Sequence, residues 1–180
     1  MFIQQTCDCP PVQDCPSLVT ISFNGSSYQV TAEGPFNNGR TWQYKVRRLS
    51  GPALSHFDVQ FCTAAMVTQW QIFTLEPVLN QCTDLLASGT GPDQNFDILP
   101  NGDPSSVCFE DIPNIKFDNL DDFEDITENF CFQFTLSQCY QIACICVDAK
   151  AGPSDGCDCI LGPSPNCEPC TPARGFRIRS

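Results

Sequence analysis

Alternation of apolar and polar residues recurs along much of this chain and restricts it to β-structure. Phe130, Phe132 and Phe134 occupy every second position of one segment, and two other alternating runs flank Asn24-Gly25. A period of two is the pattern of a half-buried strand, and Asn-Gly between two such runs is a strong signal of a hairpin. Charged residues make up only 17% of the chain, which is low for helices with exposed faces. The sequence therefore predicts an all-β protein.

We predict an antiparallel β-sandwich, jelly-roll-like or immunoglobulin-like, with extended cysteine-rich arms at both ends. A single domain of this length can bury about 70% of its unfolded surface, which is enough for a hydrophobic core. The predicted organisation is an N-terminal Cys/Pro-rich arm at residues 1–16, a sandwich domain at 17–151 and a C-terminal Cys/Pro/Gly-rich tail at 152–180. Proline disfavours helix in the arm and keeps it extended.

Three later segments are predicted from their turn-forming and charged residues. Residues 76–103 contain many turn-forming residues, so we expect loops around short apolar pieces. Residues 107–118 are predicted as a strand that Pro113 interrupts. The acidic run between Asp118 and Glu128 lacks the ligand spacing of a calcium-binding loop and is predicted to be a solvated loop.

The chain contains 14 cysteines in 180 residues. In an oxidising compartment this density indicates a disulfide framework. Zinc sites usually repeat the Cys-x-x-Cys spacing or combine cysteine with histidine. Only Cys167 and Cys170 have that spacing, and the chain has one histidine. Disulfides are therefore the preferred interpretation, and no metal site or cofactor is assigned.

The cysteines divide into two groups by their position in the chain. A domain of this size does not need every cysteine for its own stability, so those near the termini are candidates for bonds between subunits. These terminal candidates are Cys7, Cys9, Cys15, Cys157, Cys159, Cys167 and Cys170. The candidates for bonds within the domain are Cys62, Cys82, Cys108, Cys131, Cys139, Cys144 and Cys146. Local closure of both arms on their own domain is the alternative.

No residue combination indicates catalysis. His56 is the only histidine, and neighbours such as Ser55 and His56 point apart, so they do not form a catalytic pair. We expect His56 to hydrogen-bond the backbone rather than to activate Cys62 as a nucleophile. The net charge of −12 argues against a nucleic-acid partner, and no segment approaches the ~20 apolar residues of a membrane span.

The segment ALSHFDVQFC at residues 53–62 resembles a turn-and-strand motif of small bacterial surface and secreted β-sandwich domains. Two later segments fit the same resemblance, IKFDNLDDFED followed by FCFQFTLSQCY, and VDAKAGPSDGCDCILGPSPNC. The resemblance spans approximately residues 41–167, and the additional cysteines at its end depart from the simpler family pattern. It implies a non-enzymatic surface or spore-associated module, including a subunit of an endospore appendage.

We therefore expect a structural subunit that self-assembles, as a helical or head-to-tail polymer, into a disulfide-cross-linked extracellular filament or surface layer. Met1 is not followed by the basic and apolar regions of a secretory leader. Bacterial spores are a setting in which such a chain reaches an oxidising surface when the mother cell lyses. One alternative is a monomeric disulfide-rich secreted adhesin or binding module that uses residues 76–103 for recognition. Another is a metal-binding cysteine protein.

Overall fold

The alternating segments form β-strands, as their periodicity predicts. The computed structural model describes residues 14–63 and 65–170. The strands in these residues are β1 (Leu18–Phe23), β2 (Ser26–Phe36), β3 (Thr41–Ser50), β4 (His56–Gln60), β5 (Val67–Glu76), β6 (Gln81–Gly89), β7 (Phe96–Leu99), β8 (Asn114–Phe117), β9 (Phe130–Leu136), β10 (Ile142–Ala151) and β11 (Ser154–Pro163). A short 3-10 helix at Leu120–Phe123 precedes β9.

The strands form two antiparallel sheets that pack face to face. The six-stranded sheet has the order β1-β2-β3-β9-β5-β6, and the five-stranded sheet has the order β11-β10-β4-β8-β7. Every described strand pair is antiparallel. This arrangement confirms the predicted all-β, antiparallel sandwich. No helix among the described residues is long and apolar enough to cross a membrane.

The first hairpin has the turn that its sequence predicts. Asn24 and Gly25 connect β1 to β2, and both have positive φ angles, 43° and 83°. Two central residues with positive φ define the type I′ turn, whose twist matches that of the flanking strands. Asparagine and glycine adopt this conformation at little cost, which explains their selection here.

Aromatic rings fill the space between the two sheets. Phe132 on β9 lies at the centre of the six-stranded sheet, and its ring is 5.0 Å from that of Phe57 and 4.8 Å from that of Phe117. Phe57 and Phe117 belong to β4 and β8 of the opposite sheet. The neighbouring Phe130 and Phe134 are also buried, which confirms the predicted core face of β9.

Two predictions for the middle of the chain are wrong. Residues 76–103 contain β6 and β7 rather than only loops, and residues 107–113 lie outside any strand, so the strand there begins at Asn114. β6 is an edge strand that pairs with β5 alone and is exposed along most of its length. Because no residue of β6 is fully buried and only Leu86 and Ala87 pack against the core, its sequence shows no regular alternation for a pattern search to find.

The sandwich extends beyond residue 151, where the predicted domain boundary was placed. Gly152, with a φ of 60°, lies in the turn after β10, and β11 pairs with β10 along ten residue pairs. Leu161 of β11 also donates its backbone N–H to the carbonyl of Pro16 at 3.0 Å. The first part of the predicted tail is therefore a strand of the five-stranded sheet. Most of the predicted arm, with Cys7 and Cys9, lies outside the described residues.

Candidate functional site

The outer face of the five-stranded sheet has a row of charged residues. Asp58 on β4 lies between two register partners, Asp148 on β10 and Lys116 on β8. Residues adjacent in sequence point to opposite faces of a sheet, and Phe57 and Val59 point into the core. Asp58 and its two partners therefore lie on the face that points away from the core.

This outer face is covered by residues 100–113, which connect β7 to β8 and which we call the cap loop. The Ser106 hydroxyl donates to Asp148 Oδ2, and Lys150 Nζ donates to the carbonyl of Ser105 at 2.9 Å. Cys108 of the loop forms a disulfide with Cys157 on β11. As a result, the side chains of Asp58 and Asp148 are 0% exposed. A carboxylate at such a position on the outer face of a sandwich normally faces water, and the cap loop is the reason that Asp58 does not.

His56 completes a buried polar cluster beneath the cap loop. Its Nε2 atom is 3.3 Å from Asp58 Oδ2, and ligand-type atoms of His56, Asp58 and Asp148 lie within 4.8 Å of one another. Asn114 on β8 donates from Nδ2 to Asp58 Oδ1 at 3.0 Å. Four buried atoms of this cluster have no hydrogen-bond partner: His56 Nε2, Asp58 Oδ2, Asn114 Oδ1 and Asp148 Oδ1. Buried polar atoms in folded proteins are nearly always paired, so this group is unusual.

Burial controls the ionisation of these three residues. It raises the pKa of Asp58 well above its ordinary value, and the nearby Asp148 carboxylate adds to the effect. Burial also raises the pKa of Asp148 to about 7, although the hydrogen bond from Ser106 opposes this. It lowers the pKa of His56 to about 4, and the positive charge of Lys116 contributes. His56 is therefore neutral at pH 7, and its ring can offer a lone pair.

Lys116 lies at the edge of the cluster and is held by carboxylates. Its Nζ atom is 3.0 Å from Asp103 Oδ2 and 3.3 Å from Asp118 Oδ2. Burial alone would lower the pKa of Lys116, but the hydrogen bond to Asp103 and the charge of Asp118 outweigh it and raise the pKa. Lys116 therefore remains an ammonium group that links the cap loop to β8.

Disulfides connect distant parts of the described chain. Four pairs are Cys15–Cys144, Cys62–Cys167, Cys82–Cys131 and Cys108–Cys157. Cys139 and Cys170 are disulfide-bonded as well. The structure thus places Cys15, Cys157 and Cys167 in bonds within the chain, whereas the sequence analysis assigned them to bonds between subunits. The difference arises because β11 lies in the sheet, so the cysteines of the predicted tail are close to those of the sandwich.

Two cysteines of the described chain, Cys146 and Cys159, have free thiols. They are register partners on β10 and β11. Cys146 donates its backbone N–H to Gln60 Oε1 at 2.9 Å, so its backbone faces β4 rather than β11. The two cysteines therefore form a non-hydrogen-bonded pair, in which Cα atoms are about 4.5 Å apart and side chains are close. Cys159 is exposed and Cys146 is partly buried.

Cys62 is oxidised, and His56 lies against a carboxylate. Cys62 is in a disulfide, so its sulfur is not a nucleophile for His56 to activate. His56 was expected to hydrogen-bond the backbone, but its Nε2 atom faces Asp58 instead. Sequence reasoning missed Asp148 and Asn114 altogether. One feature of the sequence could have pointed to Asp148. It lies between Val147 and Ala149, as a lone carboxylate in a mainly apolar strand.

Comparison with protein-family models found no match to this chain, and comparisons with curated proteins and with solved structures found none either. The functional conclusions therefore rest on the residues and geometry described above, and the resemblance to bacterial surface domains stays a prediction.

Proposed function

We propose that this chain is a structural subunit that self-assembles into a disulfide-cross-linked extracellular filament or surface layer on bacterial spores or cells. The observation that supports this proposal most strongly is the pair of free thiols at Cys146 and Cys159, in a chain whose other described cysteines are oxidised. A cysteine left over in an otherwise disulfide-bonded secreted protein suggests bonding between molecules or a reactive free thiol.

The position of Cys159 suits a bond to a neighbouring copy. It lies on β11, which is an edge strand of the five-stranded sheet, and its side chain is exposed. Two Cys159 thiols from different copies can join as one disulfide, with loss of two protons and two electrons to dissolved oxygen. Cys146 is partly buried beside Cys159 and is less able to reach a neighbour. Attack of its thiolate on the Cys159 sulfur would form a Cys146–Cys159 bond and release the neighbour's Cys159 thiol, but burial raises the pKa of Cys146 and so keeps it protonated and unreactive at neutral pH.

The body of the molecule has the properties of a durable subunit. The Cys15–Cys144 and Cys62–Cys167 bonds join residues separated by 129 and 105 positions. Crosslinks that close long loops strongly restrict the unfolded chain and stabilise the folded state by about 4–5 kcal/mol each in the chain-entropy model. A subunit with several such bonds resists heat and denaturant.

A second surface supports non-covalent contact with another copy of this chain. Val78 and Leu79 at the turn between β5 and β6 are 86% and 67% exposed, and Leu85 on β6 is 53% exposed. β6 is an edge strand with unpaired backbone groups, and such an edge can pair with a strand of a second copy. Contacts of this kind that do not close into a ring generate fibres.

The proposal is tested by comparing the wild type with C146S, C159S and C146S/C159S on denaturing gels without reductant. Wild-type protein is expected to form a covalent dimer that reductant collapses to one band, and C159S is expected to lose most of it. A control variant adds Ser88→Cys, an exposed position on β6, to the doubly substituted protein. If that control forms the same amount of dimer, cross-linking is not specific to Cys159.

A single species of about 20 kDa in the wild type, with and without reductant, would contradict the proposal. It would mean that Cys146 and Cys159 close on each other, which their register also permits. The chain would then fit the alternative of a monomeric secreted binding module. The recognition loop predicted for that module at residues 76–103 is largely replaced by β6 and β7, so its binding surface would have to lie elsewhere.

A further inference from the structure

We propose that His56, Asp58 and Asp148 bind a divalent transition-metal cation of the zinc class beneath the cap loop. The sequence alone does not indicate this site, because it lacks the usual cysteine and histidine spacing of zinc sites and Asp148 lies far from His56 along the chain. The site is independent of the thiols on which the proposed assembly rests.

The three side chains have the composition and placement of metal ligands. Each offers one ligand atom, and these atoms lie within 4.8 Å of one another. Ligand atoms around a tetrahedral zinc ion with bonds of about 2.0–2.2 Å lie about 3.3–3.6 Å apart. His56 Nε2 and Asp58 Oδ2, which are 3.3 Å apart, already have that spacing, and Asp148, whose ligand atom lies within 4.8 Å of theirs, must move closer for all three to coordinate together. Asp58 and Asp148 are fully buried and His56 is 4% exposed.

Neighbouring residues orient both carboxylates in the same way. Asn114 Nδ2 donates to Asp58 Oδ1, which leaves Oδ2 unpaired, and the Ser106 hydroxyl donates to Asp148 Oδ2, which leaves Oδ1 unpaired. Metal-binding carboxylates are commonly held in this manner, with one oxygen on a protein donor and the other on the metal. The unpaired Asn114 Oδ1 atom lies beside them as a further oxygen donor.

The balance of charge around the cluster favours a cation. The carboxylates that act on it are Asp58, Asp103, Asp118, Asp148 and Asp155, and the ammonium groups are Lys116 and Lys150. Five carboxyl groups therefore face two ammonium groups. An unpaired buried charge is costly, so either protons or a bound cation must compensate the excess. A divalent cation bound to the three unpaired atoms compensates the excess negative charge and gives each of these atoms a partner.

The ligand set indicates the class of metal. Calcium and magnesium prefer oxygen ligands, whereas imidazole nitrogen suits zinc and similar transition metals. The buried His56 Nε2 atom has no hydrogen-bond partner and is available to coordinate. One imidazole and two carboxylates leave a position for Asn114 or water in a four-coordinate site.

The test uses the full chain with C146S/C159S, so that zinc bound by the two free thiols of the described chain is excluded. The protein is unfolded in guanidinium without reductant, refolded with zinc chloride, desalted and analysed for zinc by mass spectrometry. We expect one zinc per chain. With zinc at a hundredfold excess over its dissociation constant, the melting temperature should rise by about 5–10 °C.

Ligand variants in the same background separate coordination from a purely structural role. D58N and D148N keep the side-chain shape and remove a buried charge, so they are expected to lose zinc while their circular dichroism stays that of the parent. H56Q removes the imidazole nitrogen and leaves both carboxylates unchanged, and it is also expected to lose zinc. The matched control is D121N/D122N on the exposed 3-10 helix, which should retain zinc.

Three results would overturn the inference. The first is refolded C146S/C159S protein that contains no zinc. The second is retention of zinc by D58N, D148N and H56Q. The third is equal loss of zinc from D121N/D122N, which would identify the binding as adventitious attachment to the acidic surface.

Discussion

Asp58 on β4 and Asp148 on β10 are register partners, and both carboxylates are buried beneath the cap loop. Such a pair normally faces water on the outside of a sandwich. The burial of this pair depends on the cap loop. The loop is held in place by the Cys108–Cys157 disulfide, by the ion pair between Lys116 and Asp103, and by the close approach of its own backbone at Gly102.

The C108A/C157A double variant tests the covalent attachment of the cap loop. The disulfide joins residues 49 positions apart, and its loss is expected to lower the free energy of unfolding by about 2–4 kcal/mol. Hydrogen exchange measured by mass spectrometry should accelerate in residues 100–113 and along β10, but not in β2 or β3. Unchanged protection of the cap loop would show that the disulfide does not hold it closed.

Gly102→Ala tests the close contact between Gly102 and the backbone of Phe109 within the cap loop. Gly102 has a φ of 87°, and an added Cβ atom would lie 2.3 Å from the carbonyl oxygen of Phe109. The matched control is Gly152→Ala, which has a φ of 60° but open space around the added atom. Both variants share the cost of positive φ, so we expect G102A to lose about 2–3 kcal/mol more in urea unfolding. Equal losses would contradict the close contact.

Asp103→Asn tests the ion pair with Lys116. Burial would raise the pKa of Asp103, but hydrogen bonds from Ser105 and the Lys116 ammonium outweigh it and hold the pKa below the ordinary 3.8. A carboxylate with a lowered pKa stabilises the fold above its unfolded pKa, and this contribution is lost as the pH falls through the folded value. D103N should therefore be less stable by about 1–3 kcal/mol at pH 7.

The difference between wild type and D103N should shrink as the pH is lowered below 4, measured by urea unfolding across a pH series. Asp122→Asn is the control, because Asp122 is exposed on the 3-10 helix, and it should match the wild type throughout. A D103N deficit that persists unchanged at low pH would show that the loss is one of packing rather than of charge.

Phe132→Ala tests the centre of the core. The Phe132 ring contacts Phe57 and Phe117 of the opposite sheet, and its removal leaves a cavity between the sheets. The expected loss is about 3–5 kcal/mol in the free energy of unfolding. Leu85→Ala on the exposed edge strand should change stability by no more than about 0.5 kcal/mol. A similar effect of the two substitutions would contradict the packing described for β9.

The sequence predicted those parts of the fold in which local pattern and burial coincide. Phe130 to Phe134 alternate because one face of β9 lies in the core, and Asn24-Gly25 fits only one kind of turn. β6 was missed because an exposed edge strand needs no alternation. The burial of Asp58 could not be predicted from local pattern, because it depends on the cap loop at residues 100–113, far along the chain. Disulfide partners could not be assigned, since pairing follows three-dimensional proximity and many pairings are compatible with one sequence.

The proposed assembly is tested most directly by finding which chain provides the partner of Cys159. Protein grown in isotopically light and heavy media is mixed, briefly reduced, allowed to reoxidise and assemble, and digested without reductant. Mass spectrometry of the disulfide-linked peptides then distinguishes bonds within a chain from bonds between chains. We predict mixed light-heavy peptides that contain Cys159. Peptides in which Cys159 is joined only to Cys146 of the same isotope would contradict the account.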